Sequence, residues 1–311
     1  MKKVLLFLFL INLSLFAQTY TEATNSLYYA IKANNPKAIS NALRWGYSLN
    51  SIFFEVDEAG FGNHVEVMPV NLTPLFYAIY CGNIEAIDTL LKLGANLERL
   101  TDIYSPYVDI TVLDDYTGSV NMTPLMYASY LGAEKVMSYL INKGAKVNAK
   151  NIDGKTALMY SWGDSTKFLI NAGADVNAKD NEGKTALMYA YAAYNKVSVD
   201  LLIKNRANVN AKDNEGNTAL LHAIYRYTGE GISLRIEYDS NGADGYTGPD
   251  GYTIEEYEDN FSPSFHELTK LLINNGANVN IKNKNGQTPL SLSKEFPKLT
   301  KLLRDNGAYL E

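Results

Sequence analysis

Three histidines, a single cysteine and one acidic stretch hold most of the chemistry-bearing side chains of this 311-residue chain. His64, His222 and His266 stand far apart, and none has a second ligand at metal-binding spacing. No nucleophile elbow, phosphate-binding loop or zinc pattern occurs. Between 227 and 264, nine carboxylates, from Glu230 to Asp259, face a single Arg235. Asp239-Ser-Asn-Gly-Ala-Asp244 approaches a calcium loop, but its residues miss the EF-hand positions and no Glu closes the site. The reading is a chain without catalysis, metal site or cofactor. A calcium-binding or enzyme-like role centred on 227–264 is the alternative. Tyrosine is the more suggestive residue type. Tyr80, Tyr130 and Tyr225 each lie seven residues after a Thr that opens a recurring phrase. Tyr offers large contact area at low entropic cost and is favoured in binding surfaces. With Phe54 and Tyr107 in two insertions, these are the candidate partner-binding residues.

That phrase is the main organising feature. It recurs as Thr73-Pro-Leu-Phe-Tyr-Ala78, Thr123-Pro-Leu-Met-Tyr-Ala128, Thr156-Ala-Leu-Met-Tyr-Ser161, Thr185-Ala-Leu-Met-Tyr-Ala190, Thr218-Ala-Leu-Leu-His-Ala223 and Thr288-Pro-Leu-Ser-Leu-Ser293. A second phrase, Gly-Ala-x-Val-Asn, follows at 144–148, 173–177 and 276–280. Thr123 to Thr156 and Thr185 to Thr218 are both steps of 33 residues. Fixed-period self-similarity predicts a solenoid whose units bury their apolar faces on one another.

Thr-Pro-Leu-x-x-Ala at this period resembles the ankyrin family over roughly residues 25–311. The resemblance implies an all-α solenoid of helix-turn-helix units joined by β-turns, working as a protein-binding scaffold. It also implies that the slot of Tyr80 faces a concave groove. The family's His after Thr-Pro-Leu is replaced here by Phe76, Met126, Met159, Met188, Leu221 or Ser291. Apolar packing is expected to take over from the missing side-chain clasp.

Local chemistry supports these units. Thr is a competent N-cap, and Pro after it fits the first helical turn. Gly144, Gly173, Gly276 and Gly307 sit where a helix should end in a left-handed residue, and Arg206 replaces the glycine once. In a standard unit, Thr precedes that position by 21 residues, and 12 more reach the next Thr. Seven units follow, opening near Asn25, Thr73, Thr123, Thr156, Thr185, Thr218 and Thr288. Deviations locate β-hairpin fingers near 51–68 and 101–118, and a long loop at 227–264 between two helices of one unit. Thr156 to Gly173 is four residues short, about one helical turn, and Trp162 is expected to fill the gap.

Lys2-Lys3, the apolar run from Val4 to Phe16, and Ala17 read as a Sec signal peptide cleaved after Ala17. The domains are then a signal peptide, 1–17, and a repeat domain, 18–311. The address is periplasmic or secreted, with no membrane span in the mature chain. Loss of the two signal lysines takes the net charge from −6 to −8. Such a balance disfavours nucleic acid and favours a basic protein partner. Cys81 has no intramolecular disulfide partner and reads as a small, partly buried residue.

Overall fold

The computed structural model describes residues 26–44, 48–49, 72–104, 119–192, 195–228 and 263–309. It divides into two compact units, 1–152 and 153–311. The signal segment, the 51–68 finger and most of the 227–264 loop lie outside the described residues.

The first unit contains α1 (26–32), α2 (Pro36–Arg44), α3 (Pro74–Tyr80), α4 (Ile84–Lys92), α5 (Pro124–Tyr130) and α6 (Glu134–Asn142). Between α4 and α5 lie two short strands, β1 (Thr101–Tyr104) and β2 (Ser119–Met122). They pair antiparallel, Thr101 opposite Met122 and Tyr104 opposite Ser119, and form the base of the second finger. The inner helices α3 and α5 pack on each other, as do α2 and α4. Helices of seven to nine residues are not stable alone in water. Burial holds them: Ala86, Ile87 and Leu90 of α4, and Val136, Met137 and Leu140 of α6, face inward. Each large apolar side chain so buried contributes about 1.5–3 kcal/mol.

The N-terminal clasp is absent at Thr73 and Thr156, as expected, but two inner helices keep it, contrary to the sequence expectation. Thr123 Oγ1 accepts from Met126 N–H at 3.2 Å, and Met126 Sδ accepts from Thr123 N–H at 3.4 Å. Thioether sulfur is a weak acceptor, yet it reaches the same donor. Thr288 and Ser291 form the equivalent pair at 3.1 and 2.9 Å. Leu221 has no acceptor to offer, and Thr218 Oγ1 is buried without a partner.

In the second unit a 3₁₀ turn (Ala157–Tyr160), α8 (Ala186–Ala192), α10 (Ala219–Thr228) and α12 (Pro289–Leu292) make the inner row. The outer row is α7 (Asp164–Asn171), α9 (Lys196–Lys204), α11 (Pro263–Asn274) and α13 (Pro297–Asp305). α10 and α11 bracket the long insertion.

Two hydrogen-bond ladders tie the turns of successive repeats together. Asn177 Nδ2 donates to Arg206 O at 3.1 Å, and its Oδ1 accepts from Asn208 N–H at 2.8 Å. Asn210 does the same with Gly276 O and Asn278 N–H, both at 2.8 Å. Asn280 repeats it with Gly307 O at 2.9 Å and Tyr309 N–H at 3.0 Å. The second ladder is backbone only. Asn181 N–H donates to Asp153 O at 2.8 Å, Asn214 N–H to Glu182 O at 2.8 Å, and Lys284 N–H to Glu215 O at 2.9 Å. This close approach explains Gly183, at φ +78: a Cβ there would stand 2.9 Å from the Asn214 nitrogen.

At the shortened repeat the inner helix is reduced to the 3₁₀ turn. Trp162 is only half-buried. The buried polar atoms there form a hydroxyl chain, Ser161 Oγ to Thr166 Oγ1 at 2.9 Å and Thr166 Oγ1 to Ser198 Oγ at 2.8 Å.

Arg206 takes φ +67, the left-handed conformation of the glycines it replaces. Its clamp contact is through its carbonyl, which glycine would keep. Arg206→Gly is therefore expected to be neutral or stabilising by up to about 1 kcal/mol, measured by thermal melting. Asn210→Ala removes both clamp bonds at an exposed site. It should cost about 1 kcal/mol in urea unfolding, and no loss would show that the clamp does not hold the stack.

Candidate binding surface

In the first unit the inner helices carry a tyrosine cluster. Thr73 and Thr123 start α3 and α5 at equivalent points, so Tyr80 and Tyr130 both become the last helical residue. Tyr80 is 38% exposed, and Tyr130 is half-buried. Beneath them Tyr77 and Tyr127 are almost fully buried. The Tyr77 ring stacks on Tyr28 at 4.6 Å and lies 6.4 Å from Tyr80. Phe76 packs against Tyr127 at 5.4 Å.

Burial, with hydroxyl contacts to Tyr28 and Cys81, pushes the Tyr77 phenol far above its usual range. Burial does the same to Tyr127, helped by the nearby Tyr80, Tyr130 and Cys81. The phenols therefore stay neutral, and the cluster presents aromatic area and hydroxyls rather than charge. Tyr29, 49% exposed, packs edge-on to Tyr28. The slot of Tyr80 is held in the first repeat by exposed Lys32, whose Nζ lies 5.9 Å from the Tyr28 ring centre. Cys81 is half-buried at the C-terminal cap of α3.

Tyr225 occupies the same slot in the second unit but has internal work. Its hydroxyl donates to Gln287 Oε1 and accepts from Asn283 Nδ2 at 2.7 Å. Phe54 and Tyr107 lie outside the described residues. The structure thus sets Tyr80 and Tyr130 on consecutive inner helices of the first unit and Tyr225 in the second.

His222 has a structural partner. His222 Nε2 donates to Asp213 Oδ2 at 2.7 Å, while Asp213 Oδ1 accepts from Glu215 N–H at 2.9 Å and Asn217 N–H at 2.7 Å. Tyr189 and Asp180 repeat this in the preceding repeat, with hydroxyl to Oδ2 at 2.6 Å. The His222 side chain is a hydrogen-bonded brace for the turn. The pairing was legible as Asp180-Asn-Glu-Gly-Lys-Thr185 and Asp213-Asn-Glu-Gly-Asn-Thr218, 33 residues apart. Burial, and then the Lys270 charge, lower the His266 imidazole. His64 lies outside the described residues. Among the described residues no group of three or more His, Cys, Asp or Glu could hold a metal ion.

On the outer side of the first unit, Asp88 accepts from Tyr139 and binds Lys143 at 2.8 Å and Lys92 at 2.6 Å. Those contacts, Lys143 foremost, hold the Asp88 carboxyl far below its usual range. It lines a shallow groove of 510 Å³ with Lys92, Glu98, Lys143 and Lys146. Three lysines stand with two carboxylates there, so the groove has no strongly dominant sign of charge.

A family model described as ankyrin repeats in three copies matches residues 105–180 and 163–234, and a single-repeat model matches 70–99. The chain is an ankyrin-repeat protein. No curated protein matches it. Ankyrin repeats are protein–protein interaction modules, and proteins built from them are generally non-catalytic scaffolds. Among the described residues no helix is long and apolar enough to cross a membrane.

Asp213 gives a pH test of the turn braces. Burial alone would raise its carboxyl, but hydrogen bonds from His222 and the Asn217 N–H outweigh it and hold the group below its usual range. The folded carboxyl therefore stabilises the fold above the unfolded value, about 3.9. That contribution is lost as pH falls through the folded value. The urea midpoint of the wild type should exceed that of Asp213→Asn at pH 6, with the gap shrinking by pH 3. A gap that is constant with pH would assign the loss to neutral hydrogen bonding.

Proposed function

We propose that this ankyrin-repeat protein is a non-catalytic binding protein of the bacterial cell envelope or its exterior, and that it holds a protein partner through the inner-helix tyrosines Tyr80 and Tyr130. The observation that carries the reading is the placement of Tyr80 and Tyr130 as the last residues of consecutive inner helices, over the buried rings of Tyr77 and Tyr127, with Tyr80 38% exposed. Large aromatics fixed on rigid helices are the usual anchors of an interface, and truncating one at a hot spot costs about 2 kcal/mol or more.

The address rests on Lys2-Lys3, the apolar run to Phe16 and Ala17. The net acidity favours a basic partner at long range. Lys32, beside Tyr28 and in line with Tyr80, adds one positive charge at the surface itself. An acidic or hydroxyl-bearing group of the partner would fit beside that lysine.

The test compares residues 18–311 as wild type, as Tyr80→Ala with Tyr130→Ala, and as Tyr309→Ala. Tyr309 is an exposed tyrosine of the other unit and serves as the control. Each is used to capture proteins from the envelope fraction of its own cells, and its melting temperature is taken in parallel. A protein retained by the wild type and by Tyr309→Ala, and lost with the double variant at an unchanged melt, is the expected outcome. Capture that survives the double replacement, or loss of both capture and stability, removes these tyrosines from the site.

A further inference from the structure

We propose that the shortened repeat, residues 156–173, is a conformational joint: it opens while α8 to α13 stay folded. Four features of this repeat point the same way, and each can be compared with its neighbours.

The first is apolar burial. α7 buries Ser165, Thr166 and a single large apolar residue, Leu169. α9, the next outer helix of the same unit, buries Val199 and Leu202 beside Ser198. The inner turn still buries Leu158, Met159 and Tyr160, but α7 has the least apolar burial of the outer helices of the second unit. In a repeat protein, where stability is close to a sum of intrinsic terms and neighbour interfaces, that favours opening here.

The second is the backbone of the inner element. It has one 3₁₀ turn, held by Met159 N–H to Thr156 O at 3.0 Å and Ser161 N–H to Leu158 O at 3.3 Å. The equivalent α8 has seven helical residues. 3₁₀ bonds are less well aligned and do not propagate.

The third is the link between inner and outer elements. Gly163 sits at φ +53 and ψ −118 with open space where a Cβ would be. The backbone conformation alone therefore demands glycine there, and glycine gains more freedom than any other residue when the segment opens.

The fourth is how the repeat attaches to the next. Gly163 N–H donates to Ser198 Oγ at 2.9 Å, and the hydroxyl chain from Ser161 through Thr166 ends on the same atom. Hydroxyls rehydrate on opening, whereas apolar contacts lose their partners outright. The capping Thr156 also has a buried Oγ1 without a partner, which water would satisfy in the open form.

Hydrogen exchange followed by mass spectrometry tests this on the full mature chain at neutral pH. Peptides covering 157–171 should exchange at least tenfold faster than those covering 187–204 and 266–274. Equal protection across these segments would overturn the proposal, because it would mean that they open only together. Gly163→Ala sharpens the result. It should speed exchange in 157–171 further and leave 219–224 unchanged, while an equal rise along the unit would show no joint. If the variant does not fold, the wild-type comparison still decides.

Discussion

An asparagine closing the Ala-x-Val-Asn run at 174–177, 207–210 and 277–280 holds the backbone of the repeat that follows it. Asn177, Asn210 and Asn280 each donate to the carbonyl at the left-handed turn position and accept from the N–H two residues on. One side chain thus satisfies a carbonyl and an N–H of the turn that follows the outer helix. The geometry works only if the next repeat arrives in register. A change of length between clamps must therefore be absorbed elsewhere, and the insertion between α10 and α11 is placed where Asn210 can still reach Gly276. In the first unit Glu98 stands at the clamp position and keeps the acceptor half alone, taking Lys146 N–H at 2.8 Å.

The clamp and the turn ladder also explain why some polar residues are buried. Asp180, Asp213 and Asn283 each fold their own turn by accepting two backbone N–H groups. The outer oxygen or amide then reaches an inner helix, through Tyr189, His222 or Tyr225. Turn and helix are fixed to each other by one side chain, and the helix surface is positioned as a consequence.

That positioning separates tyrosines that look alike. Tyr80, Tyr130 and Tyr225 share a slot, but Gln287 and Asn283 are available only to Tyr225. Tyr77, Tyr127 and Tyr160 are buried one turn earlier, while Tyr189, in the same slot, is half-buried and bonds Asp180 through its hydroxyl. In the first unit Tyr80 and Tyr130 lie over the buried, neutral phenols of Tyr77 and Tyr127.

The sequence alone determined the period, the helix starts and the left-handed ends. Those follow from local rules: Thr and Pro at a helix start, glycine where φ turns positive, and apolar residues at helical spacing. Arg206 shows how strong the register is, since it adopts φ +67 without glycine's freedom. The same arithmetic places an insertion before Thr123, and there the structure pairs Thr101–Tyr104 with Ser119–Met122. Only the tertiary structure decided which polar atoms meet. Asp88 finds Tyr139 and Lys143 at separations of 51 and 55 residues, and Met126 offers sulfur where apolar packing was expected. Such pairings depend on side-chain directions across neighbouring repeats. A period fixes which residues are equivalent, but the partner each one meets is set by the packed stack.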